Sequence, residues 1–150
     1  MEAVLKLVNQ YHVANGEPER KHYIARYQSY HGGTLATLNL GYYKKRREGN
    51  EIHFQDHFHH VSPCYEYRER SEDETITDFV ERKKQELEKM FQDIGPRKVA
   101  AVVLEPIVGA VSLRFFIFSA LSWVTGILPS DFTYMHVVVT QQLQLTNYRS

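Results

Sequence analysis

Two short stretches hold the residues best suited to chemistry. In "RYQSYHGGTLATL" a Tyr30–His31 pair sits on the Gly32–Gly33 turn, where a β-branched, aromatic run gives way to helix formers. A phenol, an imidazole and a tight backbone turn at such a junction suit a flat or phosphorylated ligand, and equally an ordinary turn. In "KVAAVVLEPIVGA", Glu105 follows an apolar run of strand length and precedes Pro106, which ends it abruptly. That puts a carboxylate at the carboxyl end of a strand, where ligands bind in open α/β sheets. The bland alternative is a strand-end Glu facing water, as Glu usually does.

A third cluster, "HFQDHFHH", offers His53, Asp56, His57, His59 and His60, with Cys64 shortly after. Imidazole, carboxylate and thiolate are all zinc ligands. The spacing fits no finger pattern, however, and the segment lacks a helix to put two ligands on one face. No metal site is expected; the loop is read as packing near a subunit interface, with His59 or His60 hydrogen-bonded. Cys64 has no identifiable base or activating neighbour, which makes it a buried or incidental thiol.

The elements that must position these residues follow from periodicity. "MEAVLKLVNQYHVANG" is helical from its first residue, with Val4, Leu5, Val8 and Tyr11 on one face and Asn15-Gly16 as the stop. Nothing precedes that helix, which hints at a missing upstream segment. "HYIARY" reads as a short buried strand, followed by the Ser29–Gly33 turn and a helix-like "TLATLNLG". Residues 44–72 lack a sustained period and read as a long surface excursion, functional or packed on a partner. Its basic run Lys44–Arg47, without interleaved stacking partners, reads as a solvated loop. Ser71 and Glu74 form a capping box ahead of a helix. Its apolar stripe is Ile76, Phe79, Val80, Leu87, Met90, Phe91 and Ile94, opposite a face of Glu, Arg and Lys, with Gly95-Pro96 as the end. The Val-rich run from Val99 suits a central parallel strand covered on both faces. This order is α/β.

Composition bounds the rest. The 150 residues suit one ordinary domain or a piece of a larger one. Lys+Arg and Asp+Glu are both 18, so no global field draws nucleic acid or an anionic membrane. The single cysteine excludes an internal disulfide framework and fits a reducing compartment or indifference to redox; the expected location is cytoplasmic. No secretory signal is visible. From Val111 to Ser150 the texture changes: one Asp, no Glu, no Lys and two Arg. Leu113–Leu128 is nearly all apolar but falls short of the roughly 20 residues a bilayer span requires, so no membrane association is expected.

Taken together, "EAVLKLVNQYH", "RYQSYHGGTLATL", "HHVSPCYEYR" and "VVLEPIVGA", in this order and spacing, resemble a class III aminotransferase, a pyridoxal-phosphate (PLP) enzyme of fold type I. The resemblance covers Met1 to Ala110. It implies a fragment of the three-layer α/β/α major domain, with the C-terminal 40 residues, 111–150, atypical. It implies PLP as cofactor, an amine or amino acid and a keto acid as substrates, and a homodimer. In the family, the aromatic residue before His-Gly lies flat over the PLP ring; carried over, that residue is Tyr30, with His31 beside it and Gly32 allowing the turn. Offset stacking of an electron-poor pyridinium on a phenol adds about 0.5–1.5 kcal/mol beyond burial. The Glu-Pro carboxylate, here Glu105, faces the cofactor and substrate pocket and is the expected catalytic residue.

Two departures stand beside the resemblance. Glu2-Ala3 matches only the tail of the family's phosphate-holding Gly-Ser-Glu-Ala, whose first two residues would precede Met1. After Ala110 neither the family's Asp strand nor its Schiff-base lysine is found, and no lysine follows Lys98. The tail therefore reads as foreign, as a read-through intron would be. The two expectations for function are a truncated, inactive piece of a transaminase and a non-catalytic subunit or interaction module, with a metal-binding loop third.

Overall fold

In the computed structural model the described residues are 1–105, together with the short strands at 107–108, 114–115 and 137–138. The first helix, α1 (Glu2–Ala14), ends at Asn15 and is followed by β1 (His22–Arg26). Then come α2 (Leu35–Leu40), a single turn α3 (Lys44–Arg47), β2 (Phe58–Val61) and another single turn, α4 (Glu66–Glu69). The long helix α5 (Ile76–Ile94) leads to β3 (Val99–Leu104). Beyond it lie β4 (Ile107–Val108), β5 (Arg114–Phe115) and β6 (Val137–Val138).

The main sheet is parallel, in the order β2-β1-β3-β6. From β1 the chain moves one way to β2, then doubles back over β1 to β3. Right-handed crossovers that run in opposite directions place their helices on opposite faces. The apolar clusters obey this. Leu5 and Val8 of α1 and Leu40 of α2 pack with Tyr23, Ala25, Ala101 and Val103 on one face. Leu87 and Phe91 of α5 pack with Ile24, Val61, Val99 and Val102 on the other. The result is three layers, α/β/α, as the resemblance implies. The two extended segments that had to share a sheet, β1 and β3, are direct neighbours.

One irregularity is built in. His22 pairs with Val99 but Tyr23 pairs with Ala101, so Ala100 is an extra residue, a bulge. The His12 ring on α1 comes within 3.0 Å of the Ala100 carbonyl through Nε2. A carbonyl only accepts, so Nε2 carries the proton there. A buried carbonyl at a bulge is thus satisfied from the helix layer.

Several expectations need correction. Residues 44–72 are not simply an excursion: "FHHV" forms β2, in parallel register with β1 from Tyr23↔Phe58 to Arg26↔Val61. Interrupted apolar patterning hid it, because an edge strand needs only one partner. Arg47 is not a solvated charge either. Its Nη1 donates to the carbonyls of Leu38, Asn39 and Gly41 at 2.8, 3.0 and 2.6 Å, closing the end of α2, and its guanidinium lies over Tyr42 and Phe54. Finally, α5 is capped by Thr75, whose Oγ1 accepts the Asp78 N–H at 3.2 Å; Glu74 accepts the Ser71 N–H at 3.3 Å ahead of the helix, and also accepts from Arg82. Along α5, Lys83 is buried rather than on the polar face, because it pairs with Glu69 and donates to Ser62 Oγ. Gly95 ends α5 at φ +94, as expected of a residue tolerating the left-handed region.

Among the described residues no helix is long and apolar enough to cross a membrane. Of residues 111–150, expected from the sequence to be atypical, only the pairings of β5 with β4 and of β6 with β3 fall within the described residues.

Candidate functional site

Because the sheet is parallel, Arg26, Val61 and Leu104 end their strands at one edge, and the Tyr30 turn and Glu105 gather there. The order of the strands reverses across β1, so this edge is a topological switch point, the usual place for a ligand crevice.

The turn is tied down residue by residue. Ser29, almost fully buried, donates from Oγ to the Arg26 carbonyl at 2.6 Å, and its own carbonyl accepts the Tyr42 N–H at 3.0 Å. Tyr30 is half-buried and belongs to neither apolar cluster. Its main-chain N–H donates to Glu105 Oε1 at 3.3 Å, and the Arg46 guanidinium lies 5.0 Å from its ring centre. His31 is buried, and neither ring nitrogen has a partner among the described residues. Burial first, and the charges of Arg26 and His60 next, depress its pKa to about 4, so the ring is neutral at pH 7. Gly32 has φ +140, and a Cβ there would stand 2.6 Å from Thr37 Oγ1. That hydroxyl is committed to α2, where it accepts the Thr34 N–H at 3.0 Å. The tight turn expected of Gly32 is therefore real on two counts, backbone conformation and space.

Glu105 is 1% exposed, which removes the solvent-facing alternative. Its Oε1 serves Tyr30; Oε2 has no partner among the described residues. Burial pushes its carboxyl up to about 7, against the pull of the Tyr30 N–H and the Arg26 charge. Glu105 therefore holds or releases a proton close to neutral pH. The structure thus brings Tyr30, His31, Gly32 and Glu105 to one edge. Sequence reasoning missed Arg26, whose Nη2 donates to the Glu105 carbonyl at 2.6 Å. The available signal was a lone cation closing the apolar "HYIA" strand. Arg46 was missed as well, because α3 was taken for a loop.

Of the histidine cluster, His59 and His60 lie on β2. His59 Nε2 and His22 Nδ1 are 2.9 Å apart, and His60 Nε2 contacts the Leu40 carbonyl at 3.0 Å. Both His59 and His60 are hydrogen-bonded, as expected. Among the described residues no three potential ligands converge on a metal position. Cys64 is half-buried beside Arg26, and burial pushes its thiol up, away from reactivity.

The chain is similar in sequence and fold to known proteins. The family model for class III aminotransferases matches residues 1–124, beyond the Ala110 at which the sequence resemblance was read to stop. An uncharacterised aminotransferase of Schizosaccharomyces pombe is 46% identical over 110 residues, which cover 73% of this chain and 24% of that protein. A putrescine–pyruvate aminotransferase of Pseudomonas aeruginosa is 34% identical over 109 residues, again 73% and 24%. Among solved structures, the omega transaminase of Pseudomonas jessenii in complex with PMP superposes with a TM-score of 0.79 at 28% identity, covering 84% of this chain and 28% of that one. The chain spans about a quarter of the length of these relatives.

Proposed function

The chain belongs to the class III aminotransferases, and from that premise we propose that it is a piece of the major domain of a PLP-dependent transaminase. The whole enzyme would move an amino group from an amine or amino acid to a keto acid. The observation that carries this reading is the pairing of the Tyr30–Gly32 turn with buried Glu105 across the carboxyl ends of β1 and β3.

The residues present suit the cofactor. Buried polar atoms without partners among the described residues, Glu105 Oε2 and both His31 nitrogens, belong to the strand end and the turn that the Tyr30 N–H ties together. A dry, apolar core would not leave three such atoms orphaned. A flat, polar heterocycle lying on the Tyr30 face suits such a polar end of the sheet. PLP, when bound, supplies the electron sink for the reaction. Tyr30 would bind and orient the ring by its face and keep water from it. Gly32 lets the turn approach closely, and neutral His31 fills the space behind it without adding charge. Glu105 Oε2 is positioned to hold a proton that shifts on and off near neutral pH. By the family resemblance, a second copy or an intact relative would complete the site as a dimer.

A specific sequence feature favours a second reading for these 150 residues on their own. No lysine follows Lys98, so the residue that would anchor the cofactor covalently is not among them. We therefore infer saturable, non-covalent PLP binding without turnover by this chain alone. Borohydride reduction of the purified protein with PLP should leave no stoichiometric lysine adduct. A stoichiometric adduct with turnover of an amine would overturn the inactive-alone reading, and no saturable binding at all would overturn the cofactor site.

A further inference from the structure

Beyond the ends of a parallel pair, backbone N–H groups lose their ladder partners and must find others. Tyr30 N–H is such a group, and its acceptor is a side chain from another strand, Glu105 Oε1 at 3.3 Å. Glu105 is itself held by the Arg26 guanidinium on its carbonyl at 2.6 Å, and the Arg26 carbonyl accepts from Ser29 Oγ at 2.6 Å. Ser29 is the residue before Tyr30. The three bonds close a circuit, from the end of β1 to the end of β3, into the turn, and back to β1. Every member except Tyr30 is 4% exposed or less.

We propose that Glu105 is a positioning residue for Tyr30: its Oε1 fixes the Tyr30 peptide, so β3 sets the plane that the phenol presents. The proposal rests on the reading of Tyr30 as the ring that stacks on the cofactor. It assigns Glu105 to the turn rather than to the substrate, and it leaves Oε2 as the oxygen free to titrate. The carboxyl meets the Arg26 charge on β1 and the Tyr30 main-chain N–H on the turn, and Cys64 lies beside Arg26.

The test reads the turn and the ligand separately. In amide NMR spectra of the full chain, the Tyr30 N–H resonance should titrate with a midpoint close to pH 7 and lose that titration in Glu105→Gln. Its hydrogen exchange should speed up about tenfold or more in Glu105→Ala and stay near wild type in Glu105→Gln, which keeps an Oε1 acceptor. Binding of 4′-deoxypyridoxine 5′-phosphate, a PLP analogue with no aldehyde, supplies the second readout. Tyr30→Ala and Glu105→Ala should each weaken it about threefold to tenfold, and the double variant should be no worse than Tyr30→Ala alone. Additive losses would mean that Glu105 touches the ligand directly and would overturn the proposal. So would a Tyr30 amide indifferent to both substitutions. If Tyr30→Ala binds the analogue normally, the stacking role fails, while the amide readout still decides the latch. Should Glu105→Ala not fold, the loss of Tyr30 titration in Glu105→Gln decides alone.

Discussion

Replacing Glu105 by Gln changes one atom in the most buried carboxyl of the site, and its effect on stability has a definite sign. The folded pKa is about 7 against an ordinary 4.5. Below pH 4.5 the carboxyl is protonated folded or unfolded and contributes nothing. Between 4.5 and 7 the folded protein keeps a proton that the unfolded chain has released, so stability falls as pH rises. Above 7 the cost of the buried charge is fully present. The difference of 2.5 pH units corresponds to about 3 kcal/mol at the limit. Gln carries no charge at any pH and keeps an oxygen for the Tyr30 N–H. Urea unfolding followed by far-ultraviolet dichroism should therefore give similar stabilities near pH 5. Near pH 8 the Gln variant should be more stable by up to about 3 kcal/mol. A gap between the two proteins that does not change with pH would refute the assignment of a neutral-pH proton to this carboxyl.

Other consequences follow from the same contacts. His31 titrates the opposite way: its folded pKa of about 4 lies below the ordinary 6.5, so stability is whole above 6.5 and is lost as pH falls through 4. Unfolding curves at about pH 7 and about pH 4 should therefore converge in His31→Leu relative to wild type. Gly32→Ala meets Thr37 Oγ1 at 2.6 Å and a φ of +140, and should cost roughly 1–3 kcal/mol by chemical denaturation. His12→Leu strips the bulged Ala100 carbonyl of its donor and should cost about 1–3 kcal/mol. Leu87→Ala opens the α5 face of the core and should cost about 2–5 kcal/mol, without moving the Tyr30 amide resonance.

How much of this was legible depended on how local each signal is. The helices α1 and α5 and the strand β3 were readable because sustained periodicity or an unbroken Val-rich run spans each one, and their stops are Asn-Gly and Gly-Pro. The edge strand β2 was not, since "FHHV" alternates nothing and earns its place by pairing with β1. Thr75 rather than Ser71 caps α5 because a second box, Thr75 with Asp78, sits directly at the helix start, while Glu74 accepts from both Ser71 and Arg82. At the site, Tyr30, His31, Gly32 and Glu105 were named from motif and strand end alone. Arg26 was not, because its partner is a main-chain carbonyl that has no letter in a sequence. Arg46 and Arg47 were misread for a related reason: their aromatic partners Tyr30, Tyr42 and Phe54 are neighbours in space but lie outside the basic run itself.

The central claim is that the Tyr30 phenol faces a B6 heterocycle. Intermolecular Overhauser contacts between the chain and saturating 4′-deoxypyridoxine 5′-phosphate test it most directly. Cross-peaks from the analogue's ring methyl to the Tyr30 ring protons, abolished in Tyr30→Leu, are the predicted result. Cross-peaks to residues away from the carboxyl ends of β1 and β3, with Tyr30 silent, would contradict it.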